Sequence, residues 1–251
     1  MPQVRYATVA APGSVNEDYV VAGPSWVAVL DGATAPHGVG SGCFHDVAWL
    51  VRTLAAGLAA RIDGESPLSD VLAASIAATM DAHGPGCDLD APHSPSATVA
   101  LARRRGERVE YLVLCDSAVG LWRRDGTVTV VRDDRLDALP GGRPYSLELV
   151  ASLRNRPGGF WVASTCPGAA AEALTGSAPV AALRGVALFT DGVTRLVDWY
   201  DHSWERLVTA AAEEGPQALL ARVRRRELEH GVPWGKPHDD ATAAWMSFEP
   251  S

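Results

Sequence analysis

Trp26-Val27-Ala28-Val29-Leu30-Asp31-Gly32 is the stretch on which the reading of this sequence turns. Five apolar residues in a row, two of them β-branched, suit a strand buried on both faces. The run then ends abruptly in an acid and a glycine. Moving outward, the same junction recurs. Leu112-Val113-Leu114-Cys115 runs into Asp116, and Val186-Ala187-Leu188-Phe189-Thr190 runs into Asp191-Gly192. Asp239 and Asp240 stand directly before the apolar run that opens at Ala241.

An acid at the end of a buried strand is poorly solvated, and stays ionised only beside a cation or several donors. Acids gathered at one edge of a sheet sandwich would repel one another, and a divalent ion is the simplest neutraliser. Asp31, Asp191 and Asp239 form such a set, with no matching histidines or cysteines. All-oxygen ligation selects a hard ion, Mg²⁺ or Mn²⁺, over zinc or copper. The glycine after Asp31 and that after Asp191 are expected to allow a tight or left-handed turn and to bare the carbonyl to an ion. Singly, Asp-Gly is a common turn dipeptide, and Asp125-Gly126 is read as no more than that.

Further β-branched apolar runs predict strands over 4–9, 19–22, 98–102, 109–114, 118–122, 127–131, 160–163, 186–189 and 241–248. Turns at Arg105-Gly106-Glu107 and Arg124-Asp125-Gly126 make neighbours into hairpins, so antiparallel sheets are expected. Val47, Leu50, Val51, Leu54 and Leu58 recur at the helical period, as do Leu68, Val71, Leu72, Ile76 and Met80. They predict helices over 44–60 and 68–80, the second opened by Ser66-Pro67. A later helix pair is expected over 203–214 and 217–230. The sum is an α+β protein in one domain, residues 1–251, with two packed sheets flanked by helices. Residues 83–95 and 133–142 read as loops able to carry function.

The 251 residues, 47% of them apolar, supply a sizeable core. A net charge of −8 argues against a nucleic-acid partner, which wants a basic stripe. Arg103-Arg104-Arg105 and Arg224-Arg225-Arg226 read as solvated faces. Cys43, Cys87, Cys115 and Cys166 lie far apart and form no Cys-x-x-Cys pair. They are read as free, mostly buried thiols in a reducing compartment, with no support for a zinc ribbon or thioredoxin motif. Residues 1–12 lack a signal-peptide pattern, and no apolar run reaches the roughly 18 residues of a membrane span. The expectation is a soluble cytoplasmic protein with no membrane partner. Trp199, Trp204 and Trp234 could line a cleft or simply pack, and packing is the favoured reading.

Six motifs in order resemble the metal-dependent type 2C serine/threonine protein phosphatases, in a divergent bacterial-type form. Asn16-Glu17-Asp18 is similar to the first acidic motif, and Val29-Leu30-Asp31-Gly32 to the strand-end metal motif. Ser96-Ala97-Thr98 sits like the small-residue strand after the two long helices, and Cys115-Asp116-Ser117 resembles Gly-Asp-Ser. Thr190-Asp191-Gly192-Val193 resembles the Ser-Asp-Gly motif, and Asp239-Asp240-Ala241-Thr242 the closing Asp-Asn-x-Thr. The resemblance spans residues 4–248. It implies a four-layer α/β/β/α sandwich of two mostly antiparallel sheets flanked by helix pairs. It also implies two Mn²⁺ or Mg²⁺ ions, with Asp31 bridging them, Asp191 and Asp239 completing one, and the Gly32 carbonyl facing the other. Asp116 would serve a third, looser ion, and Glu17 and Asp18 would hold metal-bound waters. A bridging hydroxide would attack phosphorus directly, without a nucleophilic Ser or Cys.

Three departures bear on the substrate. The arginine that bacterial members place three residues before the Asn of the first motif is Gly13 here, leaving the phosphate-binding group unknown, with Arg5, Arg154 and Arg156 as candidates. Asp31-Gly32-Ala33-Thr34-Ala35-Pro36-His37 displaces the family's histidine by one and loses its glycines. His37 is a candidate proton donor to the leaving group, or a merely exposed loop residue. The arginine usual after Gly-Asp-Ser is Ala118. The resulting expectation is a metal-dependent phosphomonoester hydrolase acting on phosphoserine or phosphothreonine in a phosphoprotein. Alternatives are a weakly catalytic phosphatase-like binding module and a small-molecule phosphatase acting on a small phosphomonoester.

Overall fold

The computed structural model describes residues 2–33 and 38–248. Two five-stranded sheets stack face to face. One has the order β1 (Gln3–Val9), β10 (Ala241–Ser247), β9 (Leu183–Phe189), β6 (Ala118–Arg123), β7 (Val128–Arg132). The other runs β2 (Tyr19–Gly23), β3 (Trp26–Ala33), β4 (Ser96–Arg105), β5 (Arg108–Leu114), β8 (Leu174–Pro179). Every ladder within them is antiparallel, as the hairpin turns require. Helices α1 (Val47–Ala59) and α2 (Leu68–Ala82) cover the second sheet. Helix α3 (Leu147–Leu153) lies on the excursion between β7 and β8, while α4 (Asp191–Asp198), α5 (Trp204–Glu213) and α6 (Pro216–His230) cover the first sheet.

Three apolar layers hold the four structural ones together. Along β3, Ala28 and Leu30 point to α1 and α2, where they meet Leu50, Leu54, Leu72 and Ile76. Val27 and Val29 point the other way, into a core shared with Val119, Leu121, Leu188 and Met246 of the opposite sheet. Such two-sided burial explains why the strand is apolar throughout rather than alternating. It also fixes the direction of Asp31, which continues the row of Val27 and Val29 into the edge between the sheets. On the far side Phe189 and Trp245 pack against Leu207, Leu219 and Val223.

Several expectations need correction. Residues 160–163 form no strand, only isolated bridges such as Ala97 to Ala163, whereas β8, α3 and α4 went unanticipated. Helix α4 is a single amphipathic stretch of eight residues starting at the motif aspartate, too short for periodicity to reveal. Arg103 is no solvated face. It is 2% exposed and donates to the carbonyls of Ile62 (2.7 Å), Gly64 (3.0 Å) and Ser66 (2.8 Å) and to Glu110, tying the α1–α2 connection to β4. Asp125-Gly126 is the plain turn expected, with Asp125 Oδ1 accepting from Thr127 N at 2.9 Å.

Candidate active site

The acids singled out above come from five chain segments, four of them lining one cleft and Asp18 lying behind it. Asp31 lies near the end of β3, Asp116 follows β5, Asp191 opens α4 directly after β9, Asp239 precedes β10, and Asp18 precedes β2. Four of the other acids act on Asp31. Burial first, and then Asp191, Asp18, Asp116 and Asp239 in turn, push its carboxyl well above the usual carboxylate range. Asp116 is pushed up to about 7, by burial and then by Asp191, with Arg143 and Arg132 opposing. Asp239 is also raised, chiefly by burial and Asp191, against Lys236 and Arg195.

Asp18 lies deeper. Burial pushes it up to about 8, although hydrogen bonds to Thr242 and Thr190 oppose the shift. Thr190 Oγ1 donates to Asp18 Oδ2 at 2.8 Å and accepts from Thr242 N at 2.9 Å, joining β9, β10 and the segment before β2. Glu17 is held through its backbone. Its N–H donates to Asp240 Oδ2 (2.6 Å), whose Oδ1 accepts from Ala11 N (2.7 Å), and its carbonyl accepts from Gly32 N (3.2 Å). Asp240 therefore organises the N-terminal loop that presents the first acidic motif, a positioning role the sequence reading missed.

Gly32 and Gly192 matter for a reason other than the one expected. Neither adopts a left-handed conformation. A Cβ on Gly32 would lie 2.2 Å from Val47 Cγ1 and 2.6 Å from the Glu17 carbonyl, and one on Gly192 would lie 1.9 Å from the Asp240 carbonyl. Each glycine lets a second chain segment press against the aspartate beside it.

Asp239 is fastened by a network that sequence reasoning did not find. Arg195, one turn along α4 from Asp191, donates to Asp239 Oδ2 (2.7 Å) and to Glu227 Oε1 (2.8 Å). The wholly buried Glu227 carboxylate also pairs with Arg224 (2.9 Å) and His238 (2.7 Å). Arg224 in turn donates to the Asp239 carbonyl, so the second arginine cluster is not merely a solvated face. The i,i+3 pair Arg224 and Glu227 was the one signal available.

The cleft divides into a cavity of about 480 Å³ and an adjoining one of about 410 Å³, both lined by Asp116, Asp191, Arg143 and Trp234. Arg143 donates to Asp137 Oδ1 and lies 4.7 Å over the Trp234 ring. Lys236 Nζ stands 3.5 Å from Asp239 Oδ1, and its charged form is also favoured by Glu17 and Asp31. Of the arginines proposed as substitutes, Arg5 instead reaches the Ala212 carbonyl, while Arg154 lines the second cavity and is spent on Ser94 and Ser164. Trp199 and Trp234 line the first cavity, 5.0 Å apart edge to face, so the packing assignment holds only for Trp204. His37 lies outside the described residues.

The donor set fits hard divalent cations. Carboxylates converge there, and their charges raise the proton affinity of Asp31, Asp116 and Asp239, a repulsion that a dipositive ion relieves.

The family model for protein phosphatase 2C matches residues 8–224, and the chain belongs to that family. It is accordingly a metal-dependent phosphatase of phosphomonoesters, of the serine/threonine protein phosphatase class. No curated protein matches the sequence. Among solved structures, the Mycobacterium tuberculosis serine/threonine phosphatase PstP/Ppp shares 19% identity at a TM-score of 0.61, covering 98% of this chain and 99% of that one. Stp1 from Staphylococcus aureus shares 12% at a TM-score of 0.62, covering 100% and 96%. The catalytic domain of PstP in complex with two manganese ions shares 21% at 0.57, covering 98% and 99%. At these identities the likeness is one of fold, and it bears out the four-layer sandwich.

Proposed function

We propose that Asp31, Asp191, Asp239 and the Gly32 carbonyl hold a pair of Mn²⁺ or Mg²⁺ ions, that Asp116 serves a looser third, and that the substrate is a phosphoserine or phosphothreonine side chain of a protein. The observation that carries this reading is the field around Asp31, to which acids from four other segments contribute. The two manganese ions of the PstP catalytic domain support the metal assignment. When bound, such ions supply charge neutralisation and an acidified water for in-line attack on phosphorus.

The chain's own residues do the positioning. Glu17 and Asp18, held by Asp240 and Thr190, orient water at the cluster. Gly13 sits in an exposed left-handed turn, and the first cavity is lined instead by Arg132, Arg143, Arg195 and Lys236, of which Arg132 is paired with Asp198 and Arg195 with Glu227 and Asp239. Arg143 takes the phosphate oxygens in this reading, braced by Asp137 and Trp234. That cation in the cleft favours a working enzyme over a phosphatase-like binding module. Four free cysteines support a reducing, cytoplasmic setting. Among the described residues no helix is long and apolar enough to cross a membrane.

Mn²⁺-dependent hydrolysis of an aryl phosphate and of phosphothreonine peptides tests the proposal. Asp31→Asn and Asp191→Asn are each expected to lower kcat by about 10³-fold or more while the fold persists, several kcal/mol of transition-state stabilisation being at stake. Wild-type rates in either variant, or activity indifferent to chelation, would refute it.

A further inference from the structure

On the helical layer over the second sheet, four side chains with soft donors converge. Cys43 and His45 lie just before α1, His83 caps the C-terminus of α2, and Cys87 follows in the next loop. One donor atom from each lies within 4.8 Å of all the others. Cys43 Sγ is 3.5 Å from His45 Nδ1 and 3.3 Å from His83 Nδ1, and Cys87 Sγ is 3.5 Å from His45 Nδ1. A tetrahedral zinc ion, with bonds of about 2.3 Å to sulfur and about 2.0 Å to nitrogen, has sulfur–nitrogen edges of about 3.6 Å. The sulfurs, 2.8 Å apart, would need to part by about 1 Å to span the sulfur–sulfur edge.

We propose that Cys43, His45, His83 and Cys87 form a structural zinc site, separate from the carboxylate cleft, that staples the start of α1 to the end of α2.

The surroundings are those of a built site. The His45 ring stacks on Trp49 (3.8 Å, 13°), and His83 meets the same ring edge-on at 4.6 Å, so one indole sets both imidazoles. The two loops are also joined without an ion. Asp88 N donates to the Gly42 carbonyl at 2.8 Å, and Gly42, at φ +71°, leaves its Cβ space to Ala91. Four neutralisable donors, two thiols and two imidazoles, match a closed zinc shell with no position left for water. A disulfide would use the two sulfurs and leave the imidazoles without purpose. Without an ion, burial and the neighbouring thiol hold Cys43 up to about 11. Binding must therefore expel thiol protons, and it strengthens with pH.

The position gives the site a task. The segment from Asp31-Gly32 to α1 and the segment from α2 to β4 both reach the cleft, the latter through Ser94 and Ser96. Zinc at residues 43–87 fixes the far ends of both.

Protein purified under reducing conditions without added metal, then assayed by inductively coupled plasma mass spectrometry, is expected to carry about one zinc per chain. Asp31→Asn/Asp191→Asn is expected to keep that zinc, and Cys43→Ser/Cys87→Ser to lose it and to melt several degrees lower. Should the latter variant not fold, cobalt(II) added to zinc-stripped wild type supplies the readout, since a tetrahedral thiolate site develops intense visible d–d bands. Three results would overturn the proposal: reduced wild type with neither zinc nor those bands, zinc lost from the aspartate variant instead, or a Cys43–Cys87 disulfide by mass spectrometry of freshly lysed cells.

Discussion

The carboxylate cleft and the Cys/His cluster are both places where distant segments bring ligand atoms together, yet they are built on opposite principles. The cleft collects hard, like-charged oxygens at the ends of strands, where sheet packing forces them into proximity despite their repulsion. The cluster collects softer donors, two thiols and two imidazoles uncharged in their neutral forms, on two loops that already touch through Gly42 and Asp88. The first arrangement stores electrostatic stress that cations relieve, which suits catalysis. The second is closed, which suits a staple.

That contrast can be broken, most severely by altering Arg143 in the cleft. Arg143→Ala is expected to lower kcat/KM for phosphopeptides by roughly ten- to a hundredfold, the worth of one to two charge-assisted hydrogen bonds, with zinc content unchanged. Steady-state kinetics beside metal analysis checks this, and a parallel fall in zinc would show that the two regions are one unit.

A smaller effect is expected at the close contact beneath Asp191. Gly192→Ala puts a methyl 1.9 Å from the Asp240 carbonyl. Overpacking of this kind costs about 1–3 kcal/mol. Denaturant unfolding should show that loss, with weaker Mn²⁺ binding by calorimetry; unchanged affinity would mean that the position of α4 does not set the cleft.

The mildest test is one of pH. In the metal-free fold Asp116 and Asp18 titrate near 7 and near 8, above the ordinary 3.8 that the unfolded chain retains. The unfolded chain releases these protons from about pH 4 upward while the fold keeps them, so the stability present at low pH is lost as pH rises through the folded values. Metal-free protein should therefore have a lower denaturant midpoint at pH 8 than at pH 6, and Mn²⁺ should bind more tightly at the higher pH. A midpoint that rises between pH 6 and pH 8 would remove the electrostatic stress from the comparison.

Much of the fold was legible because its signals are local. The apolar stripes of α1 and α2 and the runs of the central strands carry their own periodicity, and each strand-end acid was marked by the apolar run beside it. Edge strand β8, reading Leu174-Thr-Gly-Ser-Ala-Pro179, has no such signal, since its pairing with β5 supplies what its side chains do not. Short α4 was equally silent.

The sequence by itself determined which acids are poorly solvated, because a carboxylate abutting five apolar residues has nowhere wet to go. Tertiary structure alone decided which cations answer them: Arg143, Arg195 and Lys236 come from a loop, a short helix and a turn with no shared pattern. It alone also joined Cys43 and His45 to His83 and Cys87, some forty positions on. Ligand spacing is readable in sequence only when one turn supplies the ligands; when two helices stand between them, packing sets the distance.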